Sequence, residues 1–388
     1  MNEEYTSCKK CGSEKLYKKG FWFNTNKTIK RQSFECLDCH YHFLGNKRFP
    51  VIEEPFVYEP KERRHIDWPN YNYTKQREKE RFLDIAREIL SQFEFKQEKT
   101  GGRPIKNPQD VLLAILLKVY NKKDSRTTIS ELAMLKDLGY VESTFSYVTL
   151  MNYMKNPTIK PLLEKMLELT SLPFQGLEDT ISIDSSGLGV SKFARWYDHK
   201  WDSEKEKRMY RKLHLAVGIK SLVIASATVT KQEGIGTGDT SQFPELVKKA
   251  AITFKVKEIL CDGAYLSEKN FDIAEEVGAE LYTKFRKDSK GRGHGKAWKQ
   301  MYWLRQKEPQ IFLRKYHQRS LSETGFMVLK SKFNSYLMTK KWESNINEIL
   351  AMCVVYNICR LNAMHHELIK EDTYLTSTQQ TQKIKVLV

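Results

Sequence analysis

Chemistry in this 388-residue sequence is best sought at three carboxylates. Asp184 stands in an apolar stretch between Ile181, Ile183 and Leu188. A bare carboxylate is costly to bury there unless it is paired or holds a metal ion. Taken alone, it reads equally well as an aspartate on an exposed strand face. Asp262 closes a second apolar stretch, and the carboxyl ends of strands in open α/β sheets form the ligand crevice; alone it admits the same two readings. Glu323 is the third. Tyr316, Arg319, Glu323 and Lys330 fall at offsets of zero, three, seven and fourteen, an arc of roughly 60° on one helix face at about 100° per residue. The acid suits a metal ion, Arg319 and Lys330 suit phosphates, and Tyr316 suits a sugar or base. A solvent-facing amphipathic helix is the other reading of that stripe. Two carboxylates on neighbouring strands and one from a helix can hold two Mg²⁺ ions roughly 3.5 to 4 Å apart, one activating the attacking oxygen and one stabilising the leaving oxygen.

A second donor set lies near the start. Cys8 and Cys11, then Cys36 and Cys39, form two C-x2-C pairs with 24 residues between them. Each pair can fold as a tight knuckle, with Gly12 permitting the backbone reversal, and the four thiolates can hold one Zn²⁺ tetrahedrally. His40 and His42 are spare candidates that a four-thiolate shell does not need. A redox dithiol is the alternative, disfavoured because there are two matched pairs. Cys261, Cys353 and Cys359 stand alone, as buried apolar thiols do, and the overall pattern is that of a reduced compartment.

The sequence carries a net charge of +17, and such an excess points to a polyanion, because phosphate neutralisation drives most non-specific nucleic-acid affinity. Residues 284–341 hold sixteen Lys and Arg against three acids. A Lys-rich solvated surface is the bland reading of that run; an acid among phosphate-suited cations favours the other. Hydrophobic residues at 40% suffice for packed cores. Apolar runs such as 111–117 are far shorter than the ~20 residues of a membrane helix. A signal peptide's apolar stretch is missing at the start, so a cytoplasmic location is expected, nucleoid-associated when DNA is bound.

The elements that must position these groups follow from periodicity. Residues 1–50 read as a small β module and 51–75, with Pro55, Pro60 and Pro69, as an extended linker. Over 76–172 the apolar spacing is helical, at Phe82, Ile85, Ile89 and Phe93 and again from Val111 to Val119. A basic loop at 101–108 interrupts it, Asp110 can help start the following helix, and Thr128 with Glu131 suggests a capping box. Gly139 ends that helix and Ser143 can cap the next. Two such helices allow a helix-turn-helix or an ordinary helical hairpin. From 178 the period becomes that of strands at 181–191, 212–220 and 221–230, followed by a helix, a strand ending at Asp262, a helix and a last strand, the order βββαβαβ.

Together, Tyr316-x2-Arg319-x3-Glu323-x6-Lys330 resembles the Y-R-E-K signature of DDE transposases from bacterial and archaeal insertion sequences. The block around Asp184, the strand with Lys212 to His214, and Cys-Asp-Gly-Ala-Tyr around Asp262 resemble the family's aspartate blocks, in the same order. The resemblance implies a multidomain protein: zinc ribbon (1–50), linker (51–75), helical DNA-binding segment (76–172), and an α/β ribonuclease H-like domain with a mixed five-stranded sheet (178–366), before a polar tail (367–388). It implies catalysis by Asp184, Asp262 and Glu323 on two Mg²⁺ or Mn²⁺ ions, with Tyr316, Arg319 and Lys330 on DNA. The expected reaction is cleavage at transposon ends and strand transfer into target DNA, by a homodimer or higher oligomer on double-stranded DNA. A DNA-binding derivative without catalysis, or a nuclease that cuts without joining, are the alternatives. The GRP loop at 102–104 has a looser counterpart in the family. The basic insertion at 285–315 is expected to be a DNA-contacting loop and short helix, in which Trp298 or Trp303 either packs on the core, the favoured reading, or stacks on an unpaired base.

Overall fold

A computed structural model describes residues 7–25, 29–45, 49–50, 67–96, 106–190, 209–292, 294–370 and 384–387. The chain divides into two units, Met1–Arg63 and Arg64–Val388.

In the first unit, strands β1 (Leu16–Phe23) and β2 (Ile29–Cys36) form an antiparallel hairpin, with β3 (His42–Leu44) and β4 (Phe49–Pro50) both antiparallel to β2. Its core is small: Cys8, Phe34, Cys36 and Phe43, with the Phe34 and Phe43 rings stacked at 5.6 Å. A core this size does not hold a module of some 50 residues unaided, and modules of this kind rely on a metal or a crosslink.

The second unit begins with α1 (Trp68–Gln76). The expected linker lies mostly at 51–66, outside the described residues, but its last part is helical. Asp67 accepts the Asn70 N–H, and Pro69 sits in the first turn, where its missing N–H costs nothing. Next come α2 (Glu78–Ser91), β5 (Phe93–Lys96), α3 (Pro108–Tyr120), α4 (Ser125–Asp137), α5 (Tyr147–Lys155) and α6 (Ile159–Ser171). The loop at 101–105 is outside the described residues. Phe93 leaves the helix its spacing suggested: it opens β5, stacks on Phe95 at 5.9 Å, and β5 pairs in parallel with β11 (Ile384–Leu387). Two caps also differ from expectation. Asp124, not Thr128, caps α4 by accepting the N–H groups of Arg126 and Thr127, while Glu131 is drawn to Lys79 and Asn121. Ser146 caps α5, because Ser143 is engaged by the buried Asp110, whose own helix is capped by Asn107.

The sheet follows the expected order. β6 (Thr180–Gly189), β7 (Tyr210–Gly218) and β8 (Ile224–Lys231) are antiparallel; β9 (Glu258–Cys261) and β10 (Glu280–Tyr282) continue in parallel, giving the order β10-β9-β6-β7-β8. α7 (Asp239–Thr253) and α8 (Glu268–Glu276) intervene. The basic insertion is two helices, α9 (Lys296–Lys307) and α10 (Pro309–Tyr316), where a loop and one short helix were expected; Pro309 starts the second. α11 (Ser320–Phe333) and α12 (Trp342–Lys370) follow. α12 runs past the expected domain end at 366, and β11 occupies part of the expected polar tail.

Helices and sheet share one continuous core, from Phe82 through Leu116 and Ile183 to Met364. The segments 76–172 and 178–366 therefore pack as one unit, and α12 joins them by touching α2, α3, α5, α6 and β8. Its asparagines fasten those contacts. Asn357 accepts the Ile224 N–H at 2.9 Å and donates to Ile224 O, closing the free edge of β8, while Asn347 donates to Met154 O and Asn362 accepts from Arg81. No helix among the described residues is long and apolar enough to cross a membrane.

Candidate active site and zinc site

β6 presents alternate side chains to opposite faces of the sheet, and its two faces hold different groups. On one face, Ser182, Asp184 and Ser186 meet the segment from Arg319 to Lys330. Ser182 Oγ donates to Arg319 O at 3.0 Å, Ser322 Oγ lies 3.4 Å from Asp184 Oδ2, and Lys330 Nζ donates to Ser186 Oγ at 2.7 Å. Three contacts two residues apart thus register the helical segment against the strand that carries Asp184. β9 pairs with β6 in parallel through Ile183 and Cys261, so Asp262 emerges one residue later beside Asp184. Asp262 Oδ1 accepts the Ala264 N–H at 2.8 Å, and Thr283 donates to its carbonyl.

The helix face read from the sequence is not continuous. Tyr316 ends α10, Arg319 closes a 3-10 turn (His317–Arg319), and Glu323 and Lys330 ride on α11. Ser320 and Ser322 hydroxyls reach back to the carbonyls of His317 and Arg319, closing side-chain bonds across the tightened turn. Three of the four side chains still gather, the Arg319 guanidinium lying 5.7 Å from the Tyr316 ring centre and 3.3 Å from Glu323, while Lys330 turns to Ser186.

Burial raises the carboxyl of Asp184 above its ordinary range, and the charges of Asp262 and Glu323 push the same way against the Ser185 N–H and Arg319. A set of acids with that mutual repulsion and one nearby guanidinium has the electrostatics and the hard oxygen donors that divalent cations require. Tyr265, buried among Asp239, Asp184 and Asp262, has a hydroxyl with no hydrogen-bond partner among the described residues.

On the other face of the strand is a residue the sequence reading missed. Asp239, the first residue of α7, lies 2.8 Å from Lys212 Nζ and 3.4 Å from Nδ1 of the fully buried His214. Against desolvation, the neighbouring His214, Lys212 and Ser185 hold its carboxyl well below the usual range. The signal available was Lys212 and His214 two apart on a strand, which shows a face but not its partner.

In the first unit the sulfurs of Cys8, Cys11, Cys36 and Cys39 all lie within 4.8 Å of one another, with Cys8–Cys39 at 3.7 Å and Cys11–Cys36 at 3.5 Å. Tetrahedral zinc with bonds of about 2.3 Å needs sulfurs about 3.8 Å apart. Gly12 takes φ +73°, and the knuckles close by Gly12 N–H to Cys8 O and His40 N–H to Cys36 O. Chiefly the Cys39 N–H, against desolvation and with help from Asp38, pulls the Cys36 thiol down to about 6. His40 and His42 turn to Glu35 at 3.5 and 3.4 Å. The cluster fits a zinc ribbon.

In the basic insertion, Trp298 is buried against Phe271 and Phe285 and donates to Lys290 O; Trp303 is 45% exposed. Residues 175–358 match the family model described as the transposase DDE domain. No solved structure matches the chain.

Proposed function

From the match of residues 175–358 to the transposase DDE domain model, we propose that Asp184, Asp262 and Glu323 carry metal-dependent cleavage of DNA at transposon ends and its joining to a target. The observation that carries this reading is geometric: β9 pairs with β6 so that Asp262 emerges beside Asp184, and the segment bearing Arg319, Glu323 and Lys330 is seated on the same face of β6. Two divalent ions held by these carboxylates would activate the attacking oxygen, first of water and then of the freed 3′-hydroxyl, and stabilise the oxygen that leaves. The protein's own groups do the rest. Arg319, held charged by Tyr316, Glu323 and Asp184 against desolvation, gives a forked donor for phosphate. Lys330, braced on Ser186, supplies a second cation, and Tyr316 a flat face for sugar or base. The helices of 76–172 bind duplex DNA alongside, and pairing two ends calls for at least two protomers. The ribbon holds one zinc and helps recognise the element's ends.

The test is cleavage and strand transfer on element-end duplexes in Mg²⁺ or Mn²⁺, beside binding titrations without metal. Glu323→Gln, Asp184→Asn and Asp262→Asn are each expected to abolish cutting while DNA affinity holds or rises. Arg319→Ala is expected to lower affinity and to flatten the salt dependence by about one unit of slope. Substantial metal-dependent cutting by any acid variant removes that residue from the metal site, and cutting without joining identifies a nuclease.

A further inference from the structure

Between α4, α5 and the segment that follows α11, the second unit holds a cavity of about 480 Å³ whose charged lining is lopsided: Lys118, Arg126, Lys155, Lys340 and Lys341 against Asp124 alone. That one acid is spent, since its carboxylate accepts the N–H groups of Arg126 and Thr127 and the Thr127 hydroxyl as the cap of α4. Lys118 is the singular residue. It sits in the last turn of α3 with 4% of its surface exposed, and its ammonium has no hydrogen-bond or ion-pair partner among the described residues. The dipole of a helix end favours a cation there, but it satisfies none of the three N–H donors. A buried ammonium normally has its partner in place.

The rest of the cavity is built and held. Glu348, itself buried, accepts the N–H groups of Met338 and Thr339 and the Thr339 hydroxyl, and Asn345 donates to Thr339 O. This pins the turn that carries Lys340 and Lys341. The Arg126 guanidinium lies 4.4 Å from the Tyr147 ring centre, a stacked pair on the wall. Just before the turn, Leu337 N–H donates to Gly189 O and Gly189 N–H to Ser335 O, which ties the segment to the end of β6, the strand of Asp184. The cavity and the acids therefore share a strand and the chain leaving α11.

We propose that this cavity seats a backbone phosphate of duplex DNA, with Lys118 as its buried donor, Lys340 and Lys341 on the rim, and Tyr147 against the adjoining sugar. The proposal rests on the reading of the chain as a DNA-acting enzyme, which favours a DNA phosphate over a free one. A row of exposed cations leading outward from a buried one suits a strand that continues beyond the site.

The experiment uses the full chain and a duplex of arbitrary sequence, with anisotropy titrations at several KCl concentrations in EDTA. Lys118→Met is expected to weaken binding roughly tenfold and to reduce the salt slope by about one, with a melting temperature equal to or above that of the wild type, since an unpaired buried charge is removed. The double variant Lys340→Ala/Lys341→Ala, at exposed positions that do not threaten folding, is expected to reduce the slope by about two. Unchanged affinity and slope in the double variant and in a folded Lys118→Met overturn the proposal. So does stabilisation of the wild type, but not of Lys118→Met, by inorganic phosphate while duplex affinity stays equal; that result assigns the site to a free anion. Nicking of supercoiled plasmid by the wild type in Mn²⁺ is read in parallel. Its absence removes the catalytic reading and leaves the binding result standing on its own.

Discussion

Asp239 pairs with Lys212, lies beside His214 on β7 and touches Ser185, whose N–H holds Asp184 Oδ1 at 2.8 Å. It positions the strand from the face opposite the acids. Asp239→Asn leaves Lys212 without its anion and is expected to cost about 2 kcal/mol, because breaking one side of a desolvated pair strands the other; urea unfolding at neutral pH measures it, and an unshifted midpoint refutes it. For the thiols, about one zinc per chain is expected, with Cys11→Ser losing most of it. Zinc content equal to that of the wild type in that variant removes Cys11 from the shell. These two residues mark what the sequence could and could not convey. Four cysteines in two knuckles declare their partners by spacing. Asp239 comes to Lys212 and His214 only because α7 returns across the sheet, and no local pattern encodes that meeting.

Among the elements, the sheet was legible because each strand is a bounded apolar run and the carboxylates sit at positions the strand order explains. The helical segment was less so. Asp124, Asn107 and Ser146 were available as caps, yet Thr128 and Ser143 fit cap patterns as well, and tertiary partners decided between them. The stripe from Tyr316 to Lys330 takes a different form from the single helix face its spacing suggested, since serine hydroxyls bond back across its first turn. The same region supports a prediction about α2 and α11. Glu78 accepts from Lys332 and, at 2.6 Å, from Lys75. Against the desolvation of its half-buried site, those bonds hold Glu78 below its usual range, and Lys332, also against desolvation, is raised by Cys359 and by Glu78. A depressed carboxylate contributes stability above its unfolded value and loses it as pH falls through the lower folded one; the raised lysine contributes below its unfolded value and loses it as pH climbs. The pair therefore acts from about pH 5 to 10. Glu78→Gln is expected to cost about 1–2 kcal/mol at pH 7, with the difference vanishing in acid. A difference that persists at the acid end means the loss is one of packing.

At the scale of the molecule, the joint between helices and sheet is polar as well as apolar. Asn357 is fully buried and bonds Ile224 on both its N–H and its carbonyl, and Thr170 on α6. Asn357→Ala strands those groups and is expected to cost about 2–3 kcal/mol. Because the core is continuous, far-ultraviolet and near-ultraviolet signals of the second unit should shift together. Helices melting ahead of the sheet would show that the two are separable after all. The same helix has a consequence in time. A ribosome delivers α12 only after the elements it fastens, so the nascent second unit waits with an open edge on β8 and an unfilled core while the first unit, already out, can close around its four thiols. Translation thus finishes this molecule from its far end, and a chain released early, with its three acids already made, would lack the helix that holds their sheet to the rest.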